Sequence, residues 1–507
     1  MMGVLGGNLA GDAQIGLALA WPLLAGMATL ACRHHANLRD GVTLLGALLL
    51  PLWVWPLLDP VLAGERPALR LGEWLPGLAI HFQVEPLGLL FALVASLLWP
   101  VNTLYSIGYL RANNERHRTR FYLCFALALA STLCIAFAGN LLTLFVGYEL
   151  LTLSTYPLVV HHGDPASLRA GRTYLGILLS ASIVGFLPAM IWVWQLTGSL
   201  DFLPGGLLAH AADADGRPFS GWAVGGLLLL FVYGTAKAAL LPLHRWLPAA
   251  MVAPTPVSAL LHAVAVVKAG VFTLLKLVLY LFGPELLLRE SSTHWLLYLA
   301  GVTIVGASLV ALRQDNLKKR LAYSTISQLA YVVLAAAILA PQSLVGAALH
   351  IAAHAVSKIT LFFAAGAIYS VTHKSCVSEL AGIGRRMPWT LAAFSIGALS
   401  MIGVPPAAGF LSKWYILLGA FSAQQWFAVA VVLLSTLLNA VYYVPIIHAA
   451  FFKREAVASA PHGDAPWLMR AALLISAALI LLLFLFPALP LALATAIPGG
   501  AGPVLTP

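Results

Sequence analysis

Five lysines and one glutamate lie inside long apolar stretches of this sequence, where charged side chains are rare. The acid is Glu149, in LLTLFVGYELLTLS, and the bases are Lys237, Lys268, Lys276, Lys358 and Lys413. A charge in apolar surroundings is costly unless it is paired or faces a polar cavity, so such residues are candidate functional groups. Amines and carboxyls in such places can gain and lose protons, so the chemistry that this set predicts is proton transfer.

Glu149 and Lys237 are predicted to form the first unit of this transfer. A carboxylate beside a buried lysine favours its protonated form, so opening of a Glu149 to Lys237 pair would release a proton and re-forming it would reload the lysine. The alternative is a static buried ion pair that only orients helices. The further lysines favour the proton switch.

Histidines precede two of the other lysines, Lys268 and Lys358, in the sequence. His262 precedes Lys268 by six residues in LLHAVAVVKAG, and His350, His354 and Lys358 follow one another at i, i+4 and i+8. That spacing predicts one stripe of a helix, and histidine exchanges protons near neutral pH. Hydrogen-bonded core histidines are the alternative, but three groups on one stripe favour a proton path.

Simpler interpretations apply to Lys276, to Glu85 and to the polar residues of AYSTISQLAY. Lys276 stands near the end of its apolar stretch and is expected to extend its amine to the membrane surface. Glu85 precedes another apolar stretch and is expected at an interface. The polar side chains of AYSTISQLAY either hydrate the path or bond across helices.

Composition dictates the elements that must position these groups. The chain is 61% hydrophobic and 9% charged, which excludes an ordinary soluble domain. A membrane-spanning helix needs about 20 apolar residues. The sequence therefore predicts an all-α integral membrane protein of about fourteen helices, near residues 15–32, 42–63, 86–110, 121–139, 141–160, 173–196, 222–241, 257–283, 295–312, 321–340, 343–370, 390–404 with a continuation to about 422, 426–452 and 467–490. Only Asp12 precedes the first stretch as a charged residue, which favours a retained helix over a signal peptide.

The basic residues indicate which side of the membrane each connection faces. Connections after odd-numbered helices hold eighteen: Arg33, Arg39, Arg111, Arg116, Arg118, Arg120, Arg169, Arg172, Arg245, Arg313, Lys318, Lys319, Arg320, Lys374, Arg385, Arg386, Lys453 and Arg454. Connections after even-numbered helices hold four: Arg66, Arg70, Arg217 and Arg289. Because cytoplasmic loops are rich in lysine and arginine, the odd connections are predicted to be cytoplasmic, with both termini outside a bacterial inner membrane. The net charge of +10 then needs no nucleic acid as partner.

Two predicted helices are interrupted by proline close to a lysine. Lys237 is followed by Pro242 in predicted helix 7, and Lys413 follows Pro405, Pro406 and Gly409 in predicted helix 12. Irregular backbone within a membrane is tolerated where it lines a polar cavity. The spacing of the two breaks predicts two inverted five-helix repeats, helices 4–8 and 9–13. The corresponding domains are 1–120, 121–283 and 295–452, with the last helix and a short tail in 467–507.

The motifs that contain these residues resemble one known family. They are FVGYELLTLSTYPLV, GTAKAALLPLHRWLPAAMVAPTPVSALLHAVAVVKAGVF, QDNLKKRLAYSTISQLAY, HAVSKITLFFAAGAIY and GVPPAAGFLSKW. From about Glu85 to about Tyr443 the chain is similar to the antiporter-like subunits of proton-pumping NADH:quinone oxidoreductase (complex I), membrane-bound hydrogenases and Mrp cation/proton antiporters. Within that family it looks most like the D-type subunits of the Mrp antiporters.

The resemblance implies a role for each charged residue. Glu149 and Lys237 look like the charged pair of helices 5 and 7, with His262 and Lys268 following on helix 8. Lys358 resembles the central relay of helix 11, and Lys413 the terminal lysine of broken helix 12. One departure stands at Ala249, where the family usually has an acid after WLP.

The function expected from residues and resemblance together is proton translocation in a multisubunit Na⁺/H⁺ antiporter. The alternatives are a proton-pumping subunit of complex I or a hydrogenase, and the proton-coupled membrane subunit of an inorganic carbon uptake complex. The chain has no cysteine cluster and no GxGxxG fingerprint, so no cofactor, metal or catalytic residue is expected in it. Its expected partners are other membrane subunits, the lipid bilayer, protons and Na⁺.

Overall fold

The computed structural model describes residues 2–75, 78–211, 219–260, 264–454 and 463–499 of the 507-residue chain. His262, one of the predicted proton-transfer residues, lies outside these ranges. The described chain is nearly all helical, as the composition predicts. The main helices are α1 (Met2–Ala31), α2 (Ala36–Val54), α3 (Pro86–Ala112), α4 (Arg118–Ala136), α5 (Leu141–Val159), α6 (Pro165–Thr197), α7 (Gly221–Gly234), α8 (Val266–Lys276), α9 (Trp295–Arg313), α10 (Leu317–Ile338), α11 (Pro341–Thr372), α12a (Pro388–Ile402), α12b (Ala408–Ser422), α13 (Trp426–Phe452) and α14 (Trp467–Leu485).

Eleven helices in the described ranges are long and apolar enough to cross a membrane. The remaining predicted spans correspond to interrupted helices, at α7, at α8 with its preceding turn Thr255–Ala259, and at the pair α12a and α12b. The all-helical membrane fold is therefore confirmed, whereas the count of fourteen crossings and the inverted repeat stay predictions.

The interruption after α7 has a local cause. The helix ends at Gly234, and a 3₁₀ turn, Ala236–Ala238, carries Lys237. Pro242 follows, and proline cannot donate the hydrogen bond that an α-helix needs. A short helical turn, Trp246–Ala249, follows the proline. Lys237 therefore lies where helical hydrogen bonding stops.

The interruption between α12a and α12b is similarly built. Gly403 closes α12a with a φ of 92°, a left-handed conformation that favours glycine, and Pro405 and Pro406 follow. A Cβ added to Gly409 would lie 1.9 Å from the carbonyl oxygen of Ser400, so only glycine allows α12b to start this close to α12a. Lys413 lies one turn further along α12b.

Helix α11 is the central element of the second half. Its whole membrane-length window is buried inside the protein, and it packs against α3, α10, α12a, α12b and α14. Polar side chains on this helix therefore face other helices and not lipid. This position explains how His350, His354 and Lys358 are accommodated.

A β-hairpin between α2 and α3 was not predicted. Strand β1 (Ala68–Leu75) pairs antiparallel with β2 (Leu78–Gln83), and Phe82 bridges to Ala138 at the end of α4. Phe82 and Ile80 are buried, while Leu71 of β1 is exposed. The hairpin covers the end of the molecule on the side of the even-numbered connections.

Candidate functional site

Lys237 is held by helix α5 through uncharged oxygen atoms. Its amine donates to the backbone carbonyl of Tyr148 at 2.8 Å and to the hydroxyl of Thr152 at 2.6 Å, and it lies 3.2 Å from the centre of the Tyr148 ring. All three residues are fully buried. The amine therefore has hydrogen-bond acceptors and a cation–π partner in place of water.

The predicted direct ion pair between Glu149 and Lys237 is not formed. The ion pairs of the described residues do not include it, and both carboxylate oxygens of Glu149 are buried without a hydrogen bond. The reason is helical geometry. Tyr148 and Thr152 are four residues apart and share the face of α5 that meets Lys237, whereas Glu149 lies about 100° further round the helix. Glu149 can affect Lys237 only through its electric field.

Lys268 joins the two halves of the chain. Its amine forms a short hydrogen bond with Nδ1 of His354 on α11, and both residues are 1% exposed. An amine and an imidazole in hydrogen-bond contact can pass a proton without rearrangement of the backbone. The sequence predicted each residue but not their pairing.

His350 and Lys413 continue the polar line towards the second break. Nδ1 of His350 lies 2.9 Å from the hydroxyl of Ser412, the residue before Lys413. The Lys413 amine donates to the carbonyls of Met401 and Ile402 at 2.8 and 3.0 Å. Those carbonyls belong to the last turn of α12a, whose dipole favours a cation.

Lys358 faces a separate group of hydroxyls. Its amine donates to Ser324 at 2.8 Å and to Tyr443 at 3.1 Å, and the hydroxyls of Ser324 and Tyr443 are themselves 2.8 Å apart. Of the two interpretations of AYSTISQLAY, Ser324 therefore contacts the lysine directly, while Ser327 bonds across helices to Ser308. The three groups of the stripe on α11 thus contact four neighbouring helices, α8, α10, α12b and α13.

The expectation that Lys276 extends its amine to the membrane surface is wrong. Lys276 does not reach the surface: it is 1% exposed and its amine lies 2.6 Å from a carboxylate oxygen of Glu85, which is 5% exposed. Glu85 is therefore a second buried acid of the membrane region, besides Glu149. The missed signal was that Glu85 opens α3 and Lys276 closes α8 on the same predicted side of the membrane.

A polar cavity lies at the opposite end, where the odd-numbered connections meet. It measures about 180 Å³, and its polar lining residues are Tyr109, Glu115, His162, Thr255, Lys318, Tyr369, Lys374 and Ser375. Nε2 of His162 lies 3.3 Å from a Glu115 oxygen, and Lys318 donates to the carbonyl of Ala253. The cavity lies between segments of both predicted repeats, so it is a candidate proton entrance.

Glu115 and His162 stabilise each other's charged forms. The Glu115 hydrogen bond raises the pKa of His162 above its usual value, against the opposing effect of burial. Burial raises the pKa of Glu115, but the hydrogen bond and charge of His162, with His161 and Arg118, outweigh it and the pKa falls below its usual value. Burial lowers the pKa of neighbouring His161 to about 4, so it is neutral at neutral pH.

These directions predict that the structure around the Glu115 to His162 contact becomes less stable as the pH rises. His162 contributes fully to the stability of the folded state below pH 6.5, and this contribution is lost as the pH rises through the raised pKa of His162. The contribution of Glu115 is lost only below pH 4.5. We expect amides 113–117 and 160–164 to exchange hydrogen up to about fivefold faster at high pH after correction for intrinsic rates, equivalent to about 1 kcal/mol. His162→Gln should remove the change and His34→Gln, at an exposed histidine, should keep it; a change that persists in His162→Gln contradicts the assignment.

Residues 138–439 match the family described as NADH:quinone oxidoreductase/Mrp antiporter, transmembrane. The match covers more than half of the chain. The chain belongs to this family. Every predicted proton-transfer residue lies within the matched residues, while Glu85 lies before them.

Relatives within this antiporter family cover most of the chain. It is 35% identical over 439 residues to the N subunit of the NADH-quinone oxidoreductase of Desulforudis audaxviator, which covers 85% of each chain. It is 28% identical to the D subunit of the Na⁺/H⁺ antiporter of Alkalihalophilus pseudofirmus, covering 84% of each. Among solved structures it matches a chain of the membrane-bound sulfane sulfur reductase, an archaeal respiratory membrane complex, with 27% identity and a TM-score of 0.83 over 95% of this chain and 96% of that one. These relatives are subunits of multisubunit membrane complexes, so the chain is an antiporter-like, proton-translocating membrane subunit.

Proposed function

We propose that this chain is the proton-translocating subunit of a multisubunit Na⁺/H⁺ antiporter. The residues that carry protons are Glu149, Lys237, His262, Lys268, His350, His354, Lys358 and Lys413. The two domains 121–283 and 295–452 act as opposed halves around them, in the bacterial inner membrane with the odd connections cytoplasmic. The subunit works with other membrane subunits of the same complex.

The observation that carries the proposal is the contact between Lys268 and His354. A buried amine that touches an imidazole supplies two groups that exchange one proton. A purely structural core would use apolar side chains at these positions at no loss of stability. Similarity to the D subunit of a Na⁺/H⁺ antiporter over 84% of both chains supports sodium as the second ion of the complex.

The geometry suggests how the two breaks take part. Lys237 and Lys413 each lie beside a helix interruption. The Lys237 amine donates to the backbone carbonyl of Tyr148, and the Lys413 amine to that of Met401. A carbonyl accepts from the protonated amine and does not itself take up the proton, so each lysine can lose and regain its proton without a permanent counter-ion. Glu149 then biases Lys237 by its field and not by a direct bond, which revises the switch expected from the sequence.

A redox-driven complex is the second candidate function. The similarity to the N subunit of a NADH-quinone oxidoreductase, at 35% identity, favours it. In a complex I or a hydrogenase the same residues would carry protons, and a partner subunit would supply the redox reaction. The third candidate is the proton-coupled membrane subunit of an inorganic carbon uptake complex. Neighbouring genes separate the three: small antiporter subunits, quinone and iron–sulfur subunits, or a large soluble zinc protein.

Transport by vesicles that contain the whole complex tests the proposal. We expect added Na⁺ to dissipate a pH gradient, and Lys237→Met to reduce this at least about tenfold, because a methionine cannot carry a proton. Lys319→Met removes the same charge from an exposed connection and should leave transport unchanged. No response to any monovalent cation would reject the antiporter, and full transport by Lys237→Met would indicate a structural scaffold.

A further inference from the structure

Glu85 and Lys276 form a buried ion pair that the relay described above does not use. The Lys276 amine lies 2.6 Å from the Glu85 carboxylate and donates to the carbonyl of Ala138 at 2.7 Å. The pair joins the start of α3 to the end of α8 and the end of α4. All three ends lie on the side of the even-numbered connections, opposite to the cavity at Glu115.

Aromatic rings surround the lysine. The amine lies 4.9 Å from the centre of the Phe202 ring, 5.6 Å from that of Phe272 and 5.8 Å from that of Tyr280. These rings favour a cation over a neutral amine and keep the pair away from lipid. The rings therefore stabilise a positive charge on the Lys276 amine.

The pair is connected inwards along helix α8. Lys276 follows Lys268 by eight residues, which places the two backbone positions about 12 Å apart along the helix axis and about 80° apart around it. Phe272 lies between them at the intermediate i+4 position and packs on Phe91 with ring centres 4.9 Å apart. An apolar ring between two proton carriers separates them until it moves, as hydrophobic constrictions do in channels.

The pair is connected outwards beneath the β-hairpin. The carbonyl of His81, on β2, accepts from Gly139, the residue after the carbonyl that binds Lys276. The His81 ring lies 4.0 Å from Asp201, whose side chain is 46% exposed. Burial lowers the pKa of His81, Asp201 raises it, and the charges of Arg70 and Lys276 lower it. His81 therefore lies near enough to Lys276 for the lysine charge to affect its pKa, and it lies beside the partly exposed Asp201.

We propose that Glu85 and Lys276 form the proton-release group at the end of the chain opposite the Glu115 cavity, with Phe272 separating them from Lys268. A proton leaves the Lys276 ammonium for the Glu85 carboxylate, which breaks an N–H bond and forms an O–H bond. Glu85 then gives this proton outwards, towards the side of the hairpin on which His81 lies, and a proton from within restores the ammonium. The inference rests on the proposed proton transport.

The first test measures transport and assembly of the whole complex in vesicles. Glu85→Gln and Lys276→Met should each lower proton transport at least about tenfold with the complex assembled. Arg289→Met and Glu290→Gln disrupt a more exposed ion pair at the same end and should have no effect. The double variant Glu85→Gln with Lys276→Met leaves no unpaired charge, so it keeps the helices together if the single variants do not. Transport at the normal rate in the double variant would show that the pair is structural and overturn the proposal.

A second measurement does not require transport. Infrared difference spectra after a pH step on the side of the hairpin should contain a carboxylic acid band that Glu85→Gln removes and Glu290→Gln keeps. His81→Gln should slow the appearance of this band. If the wild-type complex moves protons without any monovalent cation, the antiporter function fails while the band still supports the release group. If Glu85→Gln leaves the spectrum unchanged, the release group is rejected whatever the transport result.

Discussion

Replacing Lys268 with methionine is expected to reduce proton transport by the complex at least about tenfold, the equivalent of about 1.4 kcal/mol in the barrier. The variant keeps the volume and the apolar stem of lysine and loses only the amine. His354 then loses its hydrogen bond with Lys268, so a proton that arrives on the first half has no carrier at position 268 to pass it to α11. The measurement is the decay of a pH gradient in vesicles that contain equal amounts of complex.

His354→Gln is the matched test of the same contact. Glutamine can still accept a hydrogen bond from Lys268, but it does not take up a proton. A relay therefore predicts the same loss in His354→Gln as in Lys268→Met. A structural contact predicts that His354→Gln transports normally, because the bond between α8 and α11 is kept.

Arginine at position 268 separates charge from proton release. It keeps a positive charge and hydrogen-bond donors, but it stays protonated in proteins. If Lys268 acts only as a fixed charge, Lys268→Arg retains transport; if Lys268 releases protons, it does not. Assembly of the complex, measured in the same membranes, shows whether the larger side chain is tolerated.

The fold could be predicted because it depends on patterns within short segments. Apolar stretches predicted the helices, and the prolines around Lys237 and Lys413 predicted where helices stop. The hairpin was missed because its strands lie in a connection between two strong helical signals. The groups on α11 were predicted because a helix fixes which residues share a face.

The partners of the charged groups could not be predicted in the same way. Glu149 and Lys237 were expected to touch, but one residue of difference on α5 turns the carboxylate away from the face that Tyr148 and Thr152 present. Lys276 was expected at the surface, yet α3 brings Glu85 to it from a distant part of the sequence. Such pairings depend on how helices pack, and no local pattern contains that information.

Gly270→Ala is expected to destabilise the protein strongly for so small a change, because the added methyl group meets backbone and not side chains. An added Cβ would lie 2.1 Å from the backbone nitrogen of Ala238 and 2.3 Å from the carbonyl carbon of Lys237. Backbone atoms cannot turn away as a side chain can, so α8 must move from the break. Overpacking of this kind costs about 1–3 kcal/mol or more.

Gly176→Ala is the control for the change of residue type. A Cβ there meets no atom within 4 Å, and alanine is favoured over glycine in a helix by about 1 kcal/mol, so this variant should be as stable as the wild type or more. Thermal unfolding of the purified complex compares the two. Equal unfolding temperatures for both variants would contradict the close approach at Gly270.

The close approach of Gly270 to the break also predicts that Gly270→Ala lowers the transport rate as well as the stability. Gly270 places the backbone of α8 directly against the break that carries Lys237, and Lys268 is two residues earlier on that helix. A shift of α8 that makes room for one methyl group also changes the position of the Lys268 amine relative to His354. Hydrogen-bonded proton transfer tolerates little change in distance. Gly270→Ala complexes that remain assembled should therefore transport protons more slowly than Gly176→Ala complexes, although neither substitution removes an ionisable group.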